Sequence, residues 1–235
     1  MNPYFAEFIG TALLILLGDG VVANCLLSKN KGFNGGWIVI TFGWAMAVFV
    51  GVFVAASSSG AHLNPAVTLA LALTGKFAWC SVFFYIISQI AGAMMGAFLV
   101  WVSYRRHFAA TDDTGAKLGV FCTAPAIRSY TDNLLTEVIA TFVLVFGVLF
   151  IASPDVGLGA LDAVPVALLV LAIGLSLGGA TGYAINPARD LGPRIMHALL
   201  PIPGKGCSDW KYSWVPVAGP FLGAALAALV YILVI

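Results

Sequence analysis

The chain has 235 residues, 61% of them hydrophobic and only 9% charged. A soluble domain has about 45–50% apolar and about 25% charged residues, so an ordinary water-soluble globular protein is excluded. A net charge of +1 leaves no basic face for nucleic acid, and the 26 glycines suit helices that pack closely inside a membrane.

The first apolar run, Pro3–Leu27, is too long for the core of a signal peptide and has no basic stretch before it, so it reads as a spanning helix. Further spans are expected at Trp37–Ala56, Trp79–Val102, Leu134–Ala152, Ala163–Leu177 and Trp214–Ile235, since a bilayer requires about 20 mostly apolar residues. The fifth is short unless it continues through Gly178 and Gly179. Two other apolar stretches, Pro65–Thr74 and Pro187–Leu200, fall short of spanning. Ten helical residues cover about 15 Å, half of the hydrocarbon core. Each opens on Asn then Pro, a helix start in which Asn caps and Pro lacks only a donor that was orphaned anyway. Both read as half-helices.

The chain repeats itself. Glu7 and Glu137 sit 130 apart in similar surroundings, Gly60–Ala66 resembles Gly182–Ala188 at an offset of 122, and Gly92-Ala93 resembles Gly223-Ala224 at 131. Three matches in one order argue duplication. Each copy holds three spans and a half-helix, so the odd number inverts the second copy relative to the first. The expected fold is an all-α membrane protein of six spans and two re-entrant half-helices in two inverted repeats. The first copy covers about 1–102 and the second about 133–235, and the polar stretch Ser103–Asp132 links them.

Inversion lets the two Asn-Pro-Ala turns, Asn64-Pro65-Ala66 and Asn186-Pro187-Ala188, meet at the midplane. Each half-helix N-terminus carries about half a positive charge and free N–H donors. Two such ends oppose cations, and two Asn amides that hold one water oxygen break a proton wire. The segments before the turns, Gly60–Leu63 and Gly182–Ile185, are expected to be extended. Irregular backbone at this depth lines a water-filled path or is buried in protein. The carbonyls of Gly60, Ala61, His62, Leu63, Ala184 and Ile185 are therefore expected to line a pore. Such a lining suits water, and it suits a linear polyol with hydroxyls on one edge.

Arg189 lies in the first turn of the second half-helix. An arginine inside a membrane costs about 2.5–3.5 kcal/mol on insertion scales, so it is expected to face the pore rather than snorkel to the interface. Glu7 and Glu137 are read as acceptors for loop N–H groups instead of a proton relay, because each copy has its own loop to tie down. Asp19 has no counterpart and no assigned role. His62 is expected to be neutral beside the turn, and His107 and His197 to be interfacial. Cys25, Cys80, Cys122 and Cys207 form no CxxC pair, so no metal site or disulfide framework is expected, although Cys122 and Cys207 can share one side of the membrane. No nucleophile–base pair points to an enzyme.

The stretch Ser59–Thr68 is similar to the signature of the aquaporin (major intrinsic protein) family, and the second Asn-Pro-Ala followed by Arg189 matches as well. The resemblance covers almost the whole chain, as one channel domain over 1–235. Within the family the chain resembles glycerol facilitators. Asp190 follows the second motif, Arg194 comes four residues later, Pro216-Val217 stand where water channels have aromatics, and Tyr104 ends the third span. The resemblance implies a selectivity filter of Trp44, Gly174, Tyr183 and Arg189, with room at Gly174 where strict water channels place a His. Tyr183 departs from the glycerol pattern, which has Phe. Its hydroxyl can narrow the pore, favour water, or shift selectivity among polyols and urea.

The resemblance further implies passive conduction of glycerol and water, no cofactor, a homotetramer in the lipid of the cell membrane, and cytoplasmic termini. The charge rule points the other way: only Lys76 of 11 Lys and Arg falls on the side of the termini. The rival readings are a water-selective channel closed by Tyr183 and a secondary transporter, since inverted repeats with broken helices occur there too.

Overall fold

The computed structural model describes residues 1–151 and 163–235. Ala152, expected to end the fourth span, lies outside them. Nine helices occur among the described residues and no strand. The long ones are α1 (Pro3–Leu26), α2 (Gly36–Ser59), α4 (Trp79–Ala110), α6 (Tyr130–Ile151) and α9 (Val215–Val234). These five are long and apolar enough to cross a membrane. The other four are α3 (Pro65–Leu73), α5 (Thr114–Phe121), α7 (Ala163–Leu177) and α8 (Pro187–Leu199).

The helix ends follow local chemistry. Asn2 caps α1, with its side chain accepting from Tyr4 N at 2.9 Å, and Pro3 sits in the first turn. At the far end of α2, Gly60 takes φ +79°, the left-handed conformation that ends a helix without Cβ strain. α7 stops at Leu177 and does not continue through Gly178 and Gly179, which lie in a turn. The link Ser103–Asp132 is more ordered than expected. α4 runs on to Ala110 past a non-helical residue, Tyr104, and α5 is capped by Asp113, which accepts from Gly115 N and Ala116 N.

Packing follows the repeat. α1 lies against α2 and α4, and α6 against α7 and α9, while α2 and α7 join the two halves. Gly92 on α4 faces the Phe8 backbone carbonyl of α1, and Gly223 on α9 faces the Val138 carbonyl of α6. A Cβ at either position would strike backbone, so these two glycines set the close approach of each helix pair. The half-helices cross over: α3 packs against α9 and α8 against α4. Large apolar side chains such as Ile38, Phe83, Leu168 and Leu229 point outward, the surface expected of a chain whose solvent is lipid.

All four cysteines are free, Cys122 buried and Cys207 exposed. His197 is fully buried, with Nδ1 2.8 Å from Ser208 Oγ, so it is not interfacial. His107 is part-buried against the Ser28 carbonyl.

Candidate functional site

The site grows from the two turns. Asn64 Oδ1 accepts from Ala66 N at 2.9 Å, and Asn186 Oδ1 accepts from Ala188 N at 3.0 Å and Arg189 N at 3.3 Å. Each asparagine therefore caps its own half-helix. Each amide also reaches across: Asn64 Nδ2 donates to Ile185 O at 2.8 Å, and Asn186 Nδ2 to Leu63 O at 2.9 Å. The two N-termini are thus tied together at the centre. One N–H of each amide is used in the tie, and the second is left for a passing oxygen.

The loops before the turns are not extended, contrary to expectation. Gly60, Ala61 and Leu63 have φ of +79°, +48° and +51°, and Gly182, Tyr183 and Ile185 have +82°, +37° and +45°. Left-handed backbone at a residue other than Gly costs about 1–3 kcal/mol. Buried glutamates hold it in place. Glu7 accepts from His62 N (2.9 Å), Leu63 N (2.7 Å), Ser59 Oγ (2.6 Å) and Gln89 Nε2 (2.8 Å). Glu137 accepts from Ala184 N (3.0 Å), Ile185 N (2.9 Å) and Thr181 Oγ1 (2.6 Å). Hydrogen bonds to a charged group are worth about 1.5–3 kcal/mol each, enough to offset the strain.

With the N–H groups held by the glutamates, the carbonyls are free on the other side. Among the described residues no donor meets those of Gly60, Ala61, His62, Gly182, Tyr183 or Ala184. Leu63 and Ile185 also line the cavity, and their carbonyls each accept one hydrogen bond, from Asn186 and Asn64, which leaves one lone pair apiece.

A cavity of about 590 Å³ runs past both turns. Its lining includes the loop backbone, Asn64 and Asn186, together with the apolar side chains of Leu14, Val48, Leu144, Val148 and Val170. His62 lines it too, with Nδ1 3.0 Å from Thr68 Oγ1. That hydroxyl donates to Asn64 O and accepts from Gln89 Nε2, so His62 Nδ1 carries the proton and donates.

At one end stand Trp44, Tyr183 and Arg189. The Arg189 guanidinium lies 4.2 Å from the Trp44 ring centroid, within cation–π range. Gly174 does not line the cavity. A Cβ on it would meet the Tyr183 ring and hydroxyl at 3.0–3.1 Å, and Gly178 is likewise covered by Tyr183. The space expected at Gly174 therefore holds Tyr183. Trp37 buttresses this arrangement, with its indole N–H donating to Gly174 O at 3.0 Å and its ring edge-on to Tyr183. The Tyr183 hydroxyl is buried and has no partner among the described residues.

Asp190 and Arg194 form a fully buried ion pair, Nε to Oδ1 at 2.7 Å and Nη2 to Oδ2 at 3.0 Å. Asp190 also accepts from the Thr123 N–H and hydroxyl, and Arg194 donates to Ser208 O and Thr123 O. The pair thus clamps two loops beside α8. None of Tyr104, Asp190, Arg194, Pro216 or Val217 lines the cavity.

Several supporting residues escaped sequence reasoning. Ser59 and Thr181 stood one residue before the matched segments, at the same offset of 122, so the repeat carried their signal. Gln89 was not singled out, and the signal that could have found it is a polar residue within a span. Thr68 ended the family-like stretch Ser59–Thr68 without an assigned role, and Thr123 gave no sign.

The sequence profile of the family described as Major intrinsic protein matches residues 1–231. The chain is 59% identical over 231 residues to the probable glycerol uptake facilitator protein of Thermotoga maritima, covering 98% of each. It is 57% identical over 225 residues to glycerol uptake facilitator protein 3 of Lactiplantibacillus plantarum, covering 96% of this chain and 93% of that one. Among solved structures, the aquaglyceroporin from Plasmodium falciparum superposes with a TM-score of 0.87 at 32% identity, covering 97% and 94% of the two chains. With reciprocal Asn-Pro-Ala turns at its centre and relatives above half identity along nearly its whole length, the chain belongs to the major intrinsic protein family.

Proposed function

We propose that this protein is a passive channel for glycerol and other small neutral polyols that also conducts water and blocks ions and protons. The cavity's mixed lining carries this reading. The lining combines loop carbonyls and two half-used asparagine amides with aliphatic side chains, and on this reading the two kinds of group form opposite walls. A polyol has the same asymmetry. Trp44 and Tyr183 fit its CH edge, and Arg189 offers N–H groups to its hydroxyls. Two relatives above half identity are named glycerol uptake facilitators. The facing half-helix N-termini supply the barrier to cations.

The test is stopped-flow flux in proteoliposomes. Glycerol flux well above the lipid background, sensitive to Arg189, Asn64 and Asn186 and without proton leak, is expected. Glycerol permeability at background refutes the substrate, and flux that saturates and follows a pH gradient favours a transporter. A water-selective channel is the second reading, favoured by the way Tyr183 fills the space over Gly174 and Gly178. Water flux without glycerol flux would establish it.

The working assembly is a homotetramer in the cell membrane with cytoplasmic termini. The charge count against this orientation weakens on inspection. Of the ten basic residues on the far side, Arg194 is buried in an ion pair and Arg128 pairs with Asp209. Lys117 donates to the Pro203 carbonyl and Lys205 to three carbonyls at the end of α8, and Arg189 lines the cavity. Tag accessibility on intact cells tests the orientation, and an externally reachable N-terminus refutes it.

A further inference from the structure

Both rings at the constricted end rest against glycines. Tyr183 covers Gly174 and Gly178, and Trp44 covers Gly18 of α1. A Cβ on Gly18 would lie at or within 2.5 Å of three consecutive ring atoms of Trp44, namely Cε3, Cζ3 and Cη2. An approach along the ring edge would leave the outer two atoms well beyond the middle one, so Gly18 lies against the ring face. Gly92, Gly96 and Gly223 differ, because a Cβ on any of them would strike a backbone carbonyl of the neighbouring helix. Those glycines let two helices approach. Gly18 instead makes a recess for one side chain. Trp44 is buried and lines the cavity, with the Arg189 guanidinium 4.2 Å from its ring centroid. Ordinary carbon–carbon contact is about 3.5–4.0 Å, so a methyl on Gly18 would drive the ring away from α1 by about 1 Å or more. Protein interiors are close-packed, and the space beside this ring that protein leaves unfilled is the cavity.

We propose that Gly18 is a positioning residue that sets the width of the constriction. Having no side chain, it lets the Trp44 ring lie back against α1, which keeps the gap before Arg189 wide enough for the carbon chain of a polyol. A side chain at this position pushes the ring into the gap and favours water over glycerol. The proposal rests on the filter reading of Trp44 and Arg189, and it adds a determinant of specificity that touches no permeant.

The experiment measures water, glycerol and erythritol flux by stopped flow in proteoliposomes that carry wild type, Gly18→Ala, Trp44→Leu or the double variant. A ratio of two fluxes does not depend on how many channels assemble, so a merely structural fault leaves it unchanged. In Gly18→Ala the glycerol-to-water ratio is expected to fall at least about fivefold, and the erythritol-to-water ratio further, since pore width sets what passes. Trp44→Leu removes the ring that the methyl displaces, so adding Gly18→Ala to it should leave its ratios where they were. Ratios unchanged or raised in Gly18→Ala, with Trp44→Leu altering them, overturn the aperture role and leave the filter reading intact. A fall that persists in the double variant overturns the role as well, because the ring is then not what the methyl moves. Wild-type ratios in Trp44→Leu overturn the filter reading itself. Should Gly18→Ala fail to assemble, Trp44→Phe and Gly18→Ala/Trp44→Phe take its place. A lower glycerol-to-water ratio in the double variant of that pair supports the proposal, and equal ratios sink it.

Discussion

The two Asn-Pro-Ala loops share one plan and differ in what supports them. Each has three left-handed residues, a buried glutamate on its N–H groups, and a hydroxyl, Ser59 or Thr181, bonded to that glutamate. Around this common part the equivalents diverge. Thr68 of the first loop, joined to Gln89 and His62, corresponds to Asp190 of the second, joined to Arg194 and Thr123. Ala61 corresponds to Tyr183 and Val67 to Arg189, all four lining the cavity. One loop is thus held by neutral groups and leaves its end open and apolar. The other is held by an ion pair and carries a bulky and a charged side chain, Tyr183 and Arg189, into the cavity lining. On the proposed reading, duplication supplied a symmetric barrier and divergence of a few side chains gave it a selective end.

The sharpest way to break the shared part is Glu7→Ala or Glu137→Ala. Each strands two buried loop N–H groups, so the loss should exceed about 3 kcal/mol, abolishing glycerol flux and lowering the melting temperature in detergent. A variant that keeps wild-type flux would refute the role given to the glutamates. The supports should then separate. Arg194→Met leaves Asp190 buried and unpaired, at a cost of about 3–5 kcal/mol. Gln89→Leu removes a neutral donor, at about 1–3 kcal/mol. Equal losses in thermal unfolding would erase the distinction between a charged and a neutral support.

Tyr183→Phe probes the divergent end. Its hydroxyl has no partner, so stability should change by less than about 1 kcal/mol while the glycerol-to-water flux ratio rises. An unchanged ratio means the hydroxyl does not shape the filter. The smallest effect is expected from Ala61→Gly. Relief of the positive φ is set against greater freedom of the unfolded chain, for a net change within about 1 kcal/mol. A larger loss would show that the Ala61 methyl packs in a way the left-handed backbone does not explain.

Much of this was legible beforehand. The half-helices were read to within a residue at their ends because Asn and Pro start helices by local rules. The glutamates were placed because the repeat gives each copy its own loop whose N–H groups need an acceptor. The loop conformation was not read, since Ala, Leu, Tyr and Ile at positive φ oppose their own preference and are held there only by a glutamate distant in sequence. Gly174 was expected to open the filter because the family resemblance implies room at that position, and it says nothing about which neighbouring ring fills the gap.

By itself, then, the sequence determined the spans, the duplication and the two capped turns, all consequences of hydrophobic length and short-range capping. Tertiary structure decided which carbonyls stay free, where Tyr183 rests, and that the Arg189 guanidinium lies over the Trp44 ring. Those outcomes depend on contacts between residues far apart in the chain, where packing and buried charge override local preference.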